Sequence, residues 1–137
     1  MTYAMGEGLQ MAIYTRLAGD PTLDSLVPGA VFDAVPTMAP DLFVALGPEK
    51  TRDRSDVSGA GAWHDLRVSI VTTRPGYLAA KRVAARVSDV LLDGALTLTR
   101  GRVASMRFLK AEAKRDEGEG TRRIDLWFRA RLEDQVL

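Results

Sequence analysis

The chain has 137 residues, 46% hydrophobic and 27% charged. That is enough apolar material for one ordinary globular core and too much for bulk disorder. The net charge of +1 gives no global argument for tight nucleic-acid binding, and the absence of cysteine excludes disulfides and thiolate metal sites.

A single histidine, His64, leaves no second one for a histidine-pair metal site or relay. No segment approaches the roughly 20 apolar residues of a membrane-spanning helix. The N-terminus lacks the basic region and apolar run of a secretion signal, so the cytoplasm is the expected location.

Leu9, Ile13 and Leu17 recur at helical spacing, with Met5 one turn earlier, and predict a helix over Gly6–Ala18. Gly19 stands at the C-cap position, and Asp20-Pro21 stops continuation. Thr22 to Ala30 carries Leu23, Leu26 and Val27, enough for one short helical turn under the core. Val31–Val35 reads as a short strand, followed by an irregular link between Pro36 and Pro40.

Leu42–Leu46 is an apolar run ended by Gly47-Pro48 and reads as a strand. Glu49 to Gly61 is polar, mixed in charge and glycine-bearing, and reads as a solvated loop that orders on a partner. Ala62–Thr73 reads as a long strand, with Leu66, Val68 and Ile70 alternating with Asp65, Arg67 and Ser69. After the turn Arg74-Pro75-Gly76, a second helix is predicted over Tyr77–Leu92. Its apolar stripe is Ala80, Val83, Ala84, Val87, Val90 and Leu91, and Asp93-Gly94 ends it. A short segment, Ala95 to Thr99, leads through Arg100-Gly101 into a hairpin.

The hairpin carries the clearest pattern. Ile124, Leu126, Phe128, Ala130 and Leu132 alternate with Arg123, Asp125, Trp127, Arg129, Arg131 and Glu133. One face of this strand wants a dry core, and the other is charge around one large aromatic. In its partner, Arg102–Lys114, Ala104, Met106 and Phe108 alternate correctly, but Lys110 and Glu112 then continue the same face. Either the strand leaves the core near Phe108 or a bulge switches its phase. The turn from Arg115 to Gly120 has the glycines a hairpin loop needs. The assembled expectation is an α+β fold: one domain over 1–137, a mainly antiparallel sheet, and two helices on one face.

No catalytic set assembles from these residues. Gly59-Ala60-Gly61 and Gly118-Glu119-Gly120 lack the strand–GxxxxGK–helix context of a phosphate loop. Asp53 and Asp56 lack the alternating ligands of a calcium loop. His64 has no serine motif near it and reads as a surface or edge histidine. An enzyme is therefore not expected, and neither is a cofactor or metal. The candidate functional residues are those of the charged strand faces: Asp65, Arg67, Asp125, Trp127, Arg129 and Arg131. They serve a subunit interface or face a channel. Trp63 falls in phase with them. Trp127 fits either cross-strand packing with arginine stems or a protein–protein anchor. The polar turns add candidate partner-docking residues: Arg52, Asp53, Arg54, Lys114, Arg115, Glu117 and Glu119.

The order of landmarks resembles a known family. The landmarks are Leu9-Gln10-Met11-Ala12-Ile13-Tyr14, Asp20-Pro21-Thr22-Leu23, Val31-Phe32-Asp33-Ala34-Val35-Pro36 and Phe43-Val44-Ala45-Leu46-Gly47. They continue with Trp63-His64-Asp65-Leu66-Arg67-Val68, the 80–92 helix and the closing run from Arg122 to Ala130. The pattern is similar to the tail terminator, or tail completion, proteins encoded among the head–tail joining genes of long-tailed phages and gene transfer agents. The resemblance covers nearly the whole chain and rests on overall pattern, without one diagnostic motif. It implies the small fold shared with tail-tube proteins and a homo-oligomeric, typically hexameric, ring that caps the tail tube. The implied partners are the tail-tube protein, the head–tail connector (stopper) protein and double-stranded DNA passing through the channel without specific binding, with no membrane. It implies assembly in the bacterial cytoplasm and a place in the tail or neck of a particle. It brings no catalytic residues. The competing expectation is a small cytoplasmic protein-binding or regulatory domain.

Overall fold

The computed structural model describes residues 3–53, 55, 61–94, 96–116, 118 and 120–134. Its elements are α1 (Gly6–Ala18), α2 (Pro21–Leu26), β1 (Val31–Phe32), β2 (Leu42–Asp53), β3 (Gly61–Thr72), α3 (Leu78–Leu92), β4 (Arg102–Asp116) and β5 (Thr121–Glu133). The strands form one sheet in the order β1-β2-β3-β5-β4, with β1 parallel to β2 and every other pair antiparallel.

The core lies between the helices and one face of the sheet. Leu9, Ile13 and Leu17 of α1 are buried at one-turn intervals. The α3 stripe of Ala80, Val83, Ala84, Val87, Val90 and Leu91 is buried as well. Beneath them Leu66, Val68 and Ile70 of β3 meet Phe128, Leu126 and Ile124 of β5 as direct cross-strand partners, all within one hydrophobic cluster. The small Ala80 and Ala84 let α3 approach the strands closely.

Six residues after Asp20 form a true helix, so the described residues hold three helices, not two, and α2 packs against α1 and α3. The Asp20 side chain caps α2 by accepting from the Leu23 backbone N–H at 2.8 Å. It also accepts two hydrogen bonds, of 2.7 and 2.8 Å, from the Arg86 guanidinium of α3. One carboxylate thus starts one helix and ties it to another, and that pairing holds it below the usual carboxylate range. Gly19 caps α1 with φ −88°, so left-handed geometry is not what it supplies. A Cβ there would sit 2.9 Å from the Thr15 carbonyl oxygen, and close approach is the reason for glycine.

Several strand boundaries differ from expectation. β1 stops at Phe32, two residues long, because the chain turns away before Val35. β2 does not stop at Leu46: it crosses Gly47-Pro48 and runs to Asp53, taking 49–53 out of the expected loop. The ladder with β3 slips between Leu46 and Glu49, so a bulge absorbs the proline. Pro48 has no N–H to give, and β1 pairs β2 only at Val44 and Ala45, so no outer partner is denied. Gly47 permits the bulge, since a Cβ there would meet the Arg67 carbonyl oxygen at 2.9 Å. The hairpin strands also extend, β4 to Asp116 and β5 from Thr121.

His64 is a correction. It is fully buried in β3, between β2 and β5, and is neither a surface nor an edge residue. It shares the dry face with Ala62 and Leu66, and the Tyr3 ring stacks over it at 6.1 Å. Its Nδ1 lies 3.1 Å from a Glu49 carboxylate oxygen, while the other Glu49 oxygen accepts from the Tyr3 hydroxyl. Burial pushes the Glu49 carboxyl up, but the hydrogen bonds with His64 and Tyr3 outweigh that and hold it low.

Candidate functional site

Among the described residues no helix lies on the second face of the sheet, and its side chains can be read in rows across the strands. One row runs Lys50, Asp65, Arg129, Arg107. The next runs Arg52, Trp63, Arg131, Ser105. On the other side of the first lie Arg67, Trp127 and Lys110, then Ala45, Ser69, Asp125 and Glu112, then Phe43, Val71, Arg123 and Lys114. All six strand-face candidates from the sequence therefore share this open face, with Trp63 among them.

Its charges are organised by two carboxylates and two tryptophans. Asp65 accepts hydrogen bonds of 2.7 and 2.9 Å from Arg129 and lies 3.8 Å from Arg52. The Arg129 guanidinium holds the Asp65 carboxyl below its ordinary range, and Asp65 raises Arg129 in return. Asp125 is buried, only 2% exposed. It accepts from the Ser69 hydroxyl at 2.6 Å and from Arg123 at 3.1 Å, with Lys114 at 3.7 Å and Arg67 at 3.9 Å. Burial pushes the Asp125 carboxyl up, but the Ser69 hydrogen bond and the Arg123 and Arg67 charges outweigh it, so it stays below the usual range.

The tryptophans lie between cations. Arg67 and Lys110 flank the Trp127 ring at 5.5 and 5.2 Å. Arg129 and Arg107 flank Trp63 at 5.2 and 5.9 Å. All four contacts fall within the range of cation–π attraction. Trp127 packs across the strands against these cation stems. The Trp127 indole N–H and the Arg67 Nε are buried without a hydrogen-bond partner among the described residues.

Arg107 and Lys110 were not among the sequence candidates, and for Lys110 the reason is local. In β4 the register slips between Val103 and Ser105 and again between Phe108 and Lys110. The second bulge moves Lys110, Glu112 and Lys114 from the expected dry phase onto the open face. The broken alternation at Leu109 was the available signal. Past Phe108 the strand also leaves the core, so both expected explanations of its phase hold.

The candidate docking residues need correction as loops. Arg52, Asp53, Lys114 and Arg115 are strand residues, because β2 and β4 run longer than their composition suggested. Arg52 and Lys114 join the open face, whereas Arg115 pairs with Arg122 on the helix side. Arg54, Glu117 and Glu119 lie outside the described residues. The ends of β2 and β4 sit at opposite ends of the sheet: Asp53 is level with Ala62 and Leu132, and Asp116 with Thr121.

Among the described residues, no cluster of three histidine, aspartate or glutamate side chains is placed to hold a metal ion. No helix among them is long and apolar enough to cross a membrane. A shallow groove of about 470 Å³ borders the open face, between the 33–41 link and Phe43, Ser69 and Arg123.

No curated protein sequence matches the chain. Among solved structures, a chain in the "Virion of native gene transfer agent (GTA) particle" is 47% identical. It superposes with a TM-score of 0.90, over 96% of this chain and 99% of that one. The mainly antiparallel α+β architecture expected from the sequence is the architecture of that virion chain. The family described as tail completion protein gp17 matches residues 11–133, nearly the full length. The chain belongs to the tail completion protein gp17 family.

Proposed function

We propose that this protein is a structural component of a phage-like or gene-transfer-agent particle. In this reading it forms a ring of about six copies at the head-proximal end of the tail. The ring caps the tail tube, stops its growth and presents a surface to the head–tail connector. The observation that carries this reading is the near-complete match to a virion chain at 47% identity, joined to a family of tail completion proteins.

Two features of the fold support it. The polar ends of β2 and β4 lie at opposite ends of the sheet, as an adaptor between tube and connector requires. The sheet also has open edges on both sides among the described residues: β4 along 102–116, and β2 beyond the two residues paired with β1. β2 and β4 run antiparallel to each other, so a neighbour's β2 laid beside β4 continues an antiparallel ladder. Such a contact is head-to-tail, the kind that closes into rings. In the ring, the open face with Asp65, Arg67, Asp125, Trp127, Arg129 and Arg131 turns toward the channel or a neighbouring subunit.

Native mass spectrometry of the purified protein, alone and mixed with tail tubes, tests the ring. The expected species is about six times the 14.9 kDa chain, alone or on tube ends. A monomer in both samples would overturn it.

A further inference from the structure

The open face is more basic than its mixed appearance in sequence suggests. With the end pairs Arg102–Glu133 and Asp116–Thr121 added to the rows above, it carries ten of the chain's 19 lysines and arginines but five of its 18 carboxylates. The chain as a whole is nearly neutral, at +1. The imbalance therefore belongs to this surface.

The carboxylates at its centre are already engaged. Asp65 is held by Arg129, and Asp125 is shared by Arg123, Arg67 and Lys114. Glu133, at one end, is taken by Arg102. The surplus is clearest on β4, where Arg107 and Lys110 are exposed and have no carboxylate within ion-pair distance among the described residues. Each instead stands over an indole ring, Arg107 on Trp63 and Lys110 on Trp127. An indole restrains such a side chain without neutralising it. The face thus offers positioned, uncompensated cations on a broad sheet.

The partner that fits is a polymer of dense, regular negative charge. Duplex DNA carries one charge per roughly 1.7 Å of its axis, and contacts to it need no base recognition. We propose that this open face binds the phosphodiester backbone of duplex DNA without sequence preference, with Arg107 and Lys110 as its leading contacts. In the ring reading, on which this rests for its setting, the face grips the DNA that enters the channel and does not merely let it pass.

The test is fluorescence anisotropy of a random-sequence duplex titrated with the protein at several salt concentrations, with sedimentation of the same samples. Log affinity is expected to fall linearly with log salt, with a slope of about −0.9 for each phosphate engaged. The variant R107E/K110E should bind at least about tenfold more weakly, with a slope shallower by about two units. The charge-matched variant K81E/R82E, on exposed positions of α3, should bind like the parent. The milder R107Q/K110Q, checked by circular dichroism, should follow R107E/K110E if charge is the cause. Equal losses from the α3 and β4 variants would overturn the assignment of the face. Equal or tighter binding to poly-glutamate would replace DNA with an acidic protein partner. Rings that fail to bind DNA would refute this inference alone, and DNA binding by monomers would sustain it while refuting the ring.

Discussion

Arg129 and Asp65 stand directly opposite each other on β5 and β3, joined by two parallel hydrogen bonds of 2.7 and 2.9 Å. This bidentate pair fixes the centre of the open face and steadies Arg129 over Trp63. Arg129→Glu would set two carboxylates face to face and is expected to lower the urea midpoint. R107E/K110E, whose residues lie outside that pair, should leave the melting temperature nearly unchanged. Urea unfolding of both variants separates a residue that holds the face together from residues that only present charge.

The same pairing has a pH signature. The Asp65 and Asp125 carboxyls are both held low in the folded chain. A depressed carboxylate contributes stability above its unfolded value, near pH 3.9, and loses it as the pH falls through the lower folded value. The parent protein should therefore lose stability steeply with acid below about pH 4. Asp65→Asn should be less stable at neutral pH and show a flatter acid limb, measured as urea midpoint against pH. An identical acid limb in the variant would mean that the pair contributes nothing.

Phe128 is fully buried and meets the Phe108 ring edge-on at 5.8 Å. Phe128→Ala is expected to destabilise by about 3–5 kcal/mol through lost burial and a residual cavity. Phe108, 44% exposed at the edge strand, should cost far less when truncated. Equal costs at both positions would mean that the core runs on over Phe108.

Gly101 has φ +73°, and a Cβ there would lie 2.5 Å from the Glu133 carbonyl oxygen. Gly101→Ala should cost about 1–3 kcal/mol for backbone strain alone. Because β4 starts at the next residue, the loss should come with faster amide exchange along 102–108. Unchanged exchange there would place the strain elsewhere.

Much of this architecture was legible in the sequence because two periods were clean. The alternation from Ile124 to Leu132 fixed the dry face of β5, and the α3 stripe fixed what covers it. What escaped was the work of bulges and of tertiary override. Nothing in Glu49–Asp53 looks like a strand, yet β3 beside it supplies a ladder that a polar segment can join. The bulge at Leu109 hid Lys110 and, with it, one of the two indole stacks. His64 alternated with Leu66 in plain view, but its polarity argued for the surface until Tyr3 and Glu49, remote in sequence, were seen to cover it. Asp125 was legible as a member of the charged face but not as a buried hub, since burial came from the four side chains that converge on it.

Deleting the gene from cells that produce the particle, and measuring tail lengths by electron microscopy, tests the terminator role most directly. A protein that caps the tube should leave overlong or headless tails when it is lost, and its return on a plasmid should restore a single length. Tails of normal, uniform length joined to filled heads in the deletion strain would contradict the role proposed here.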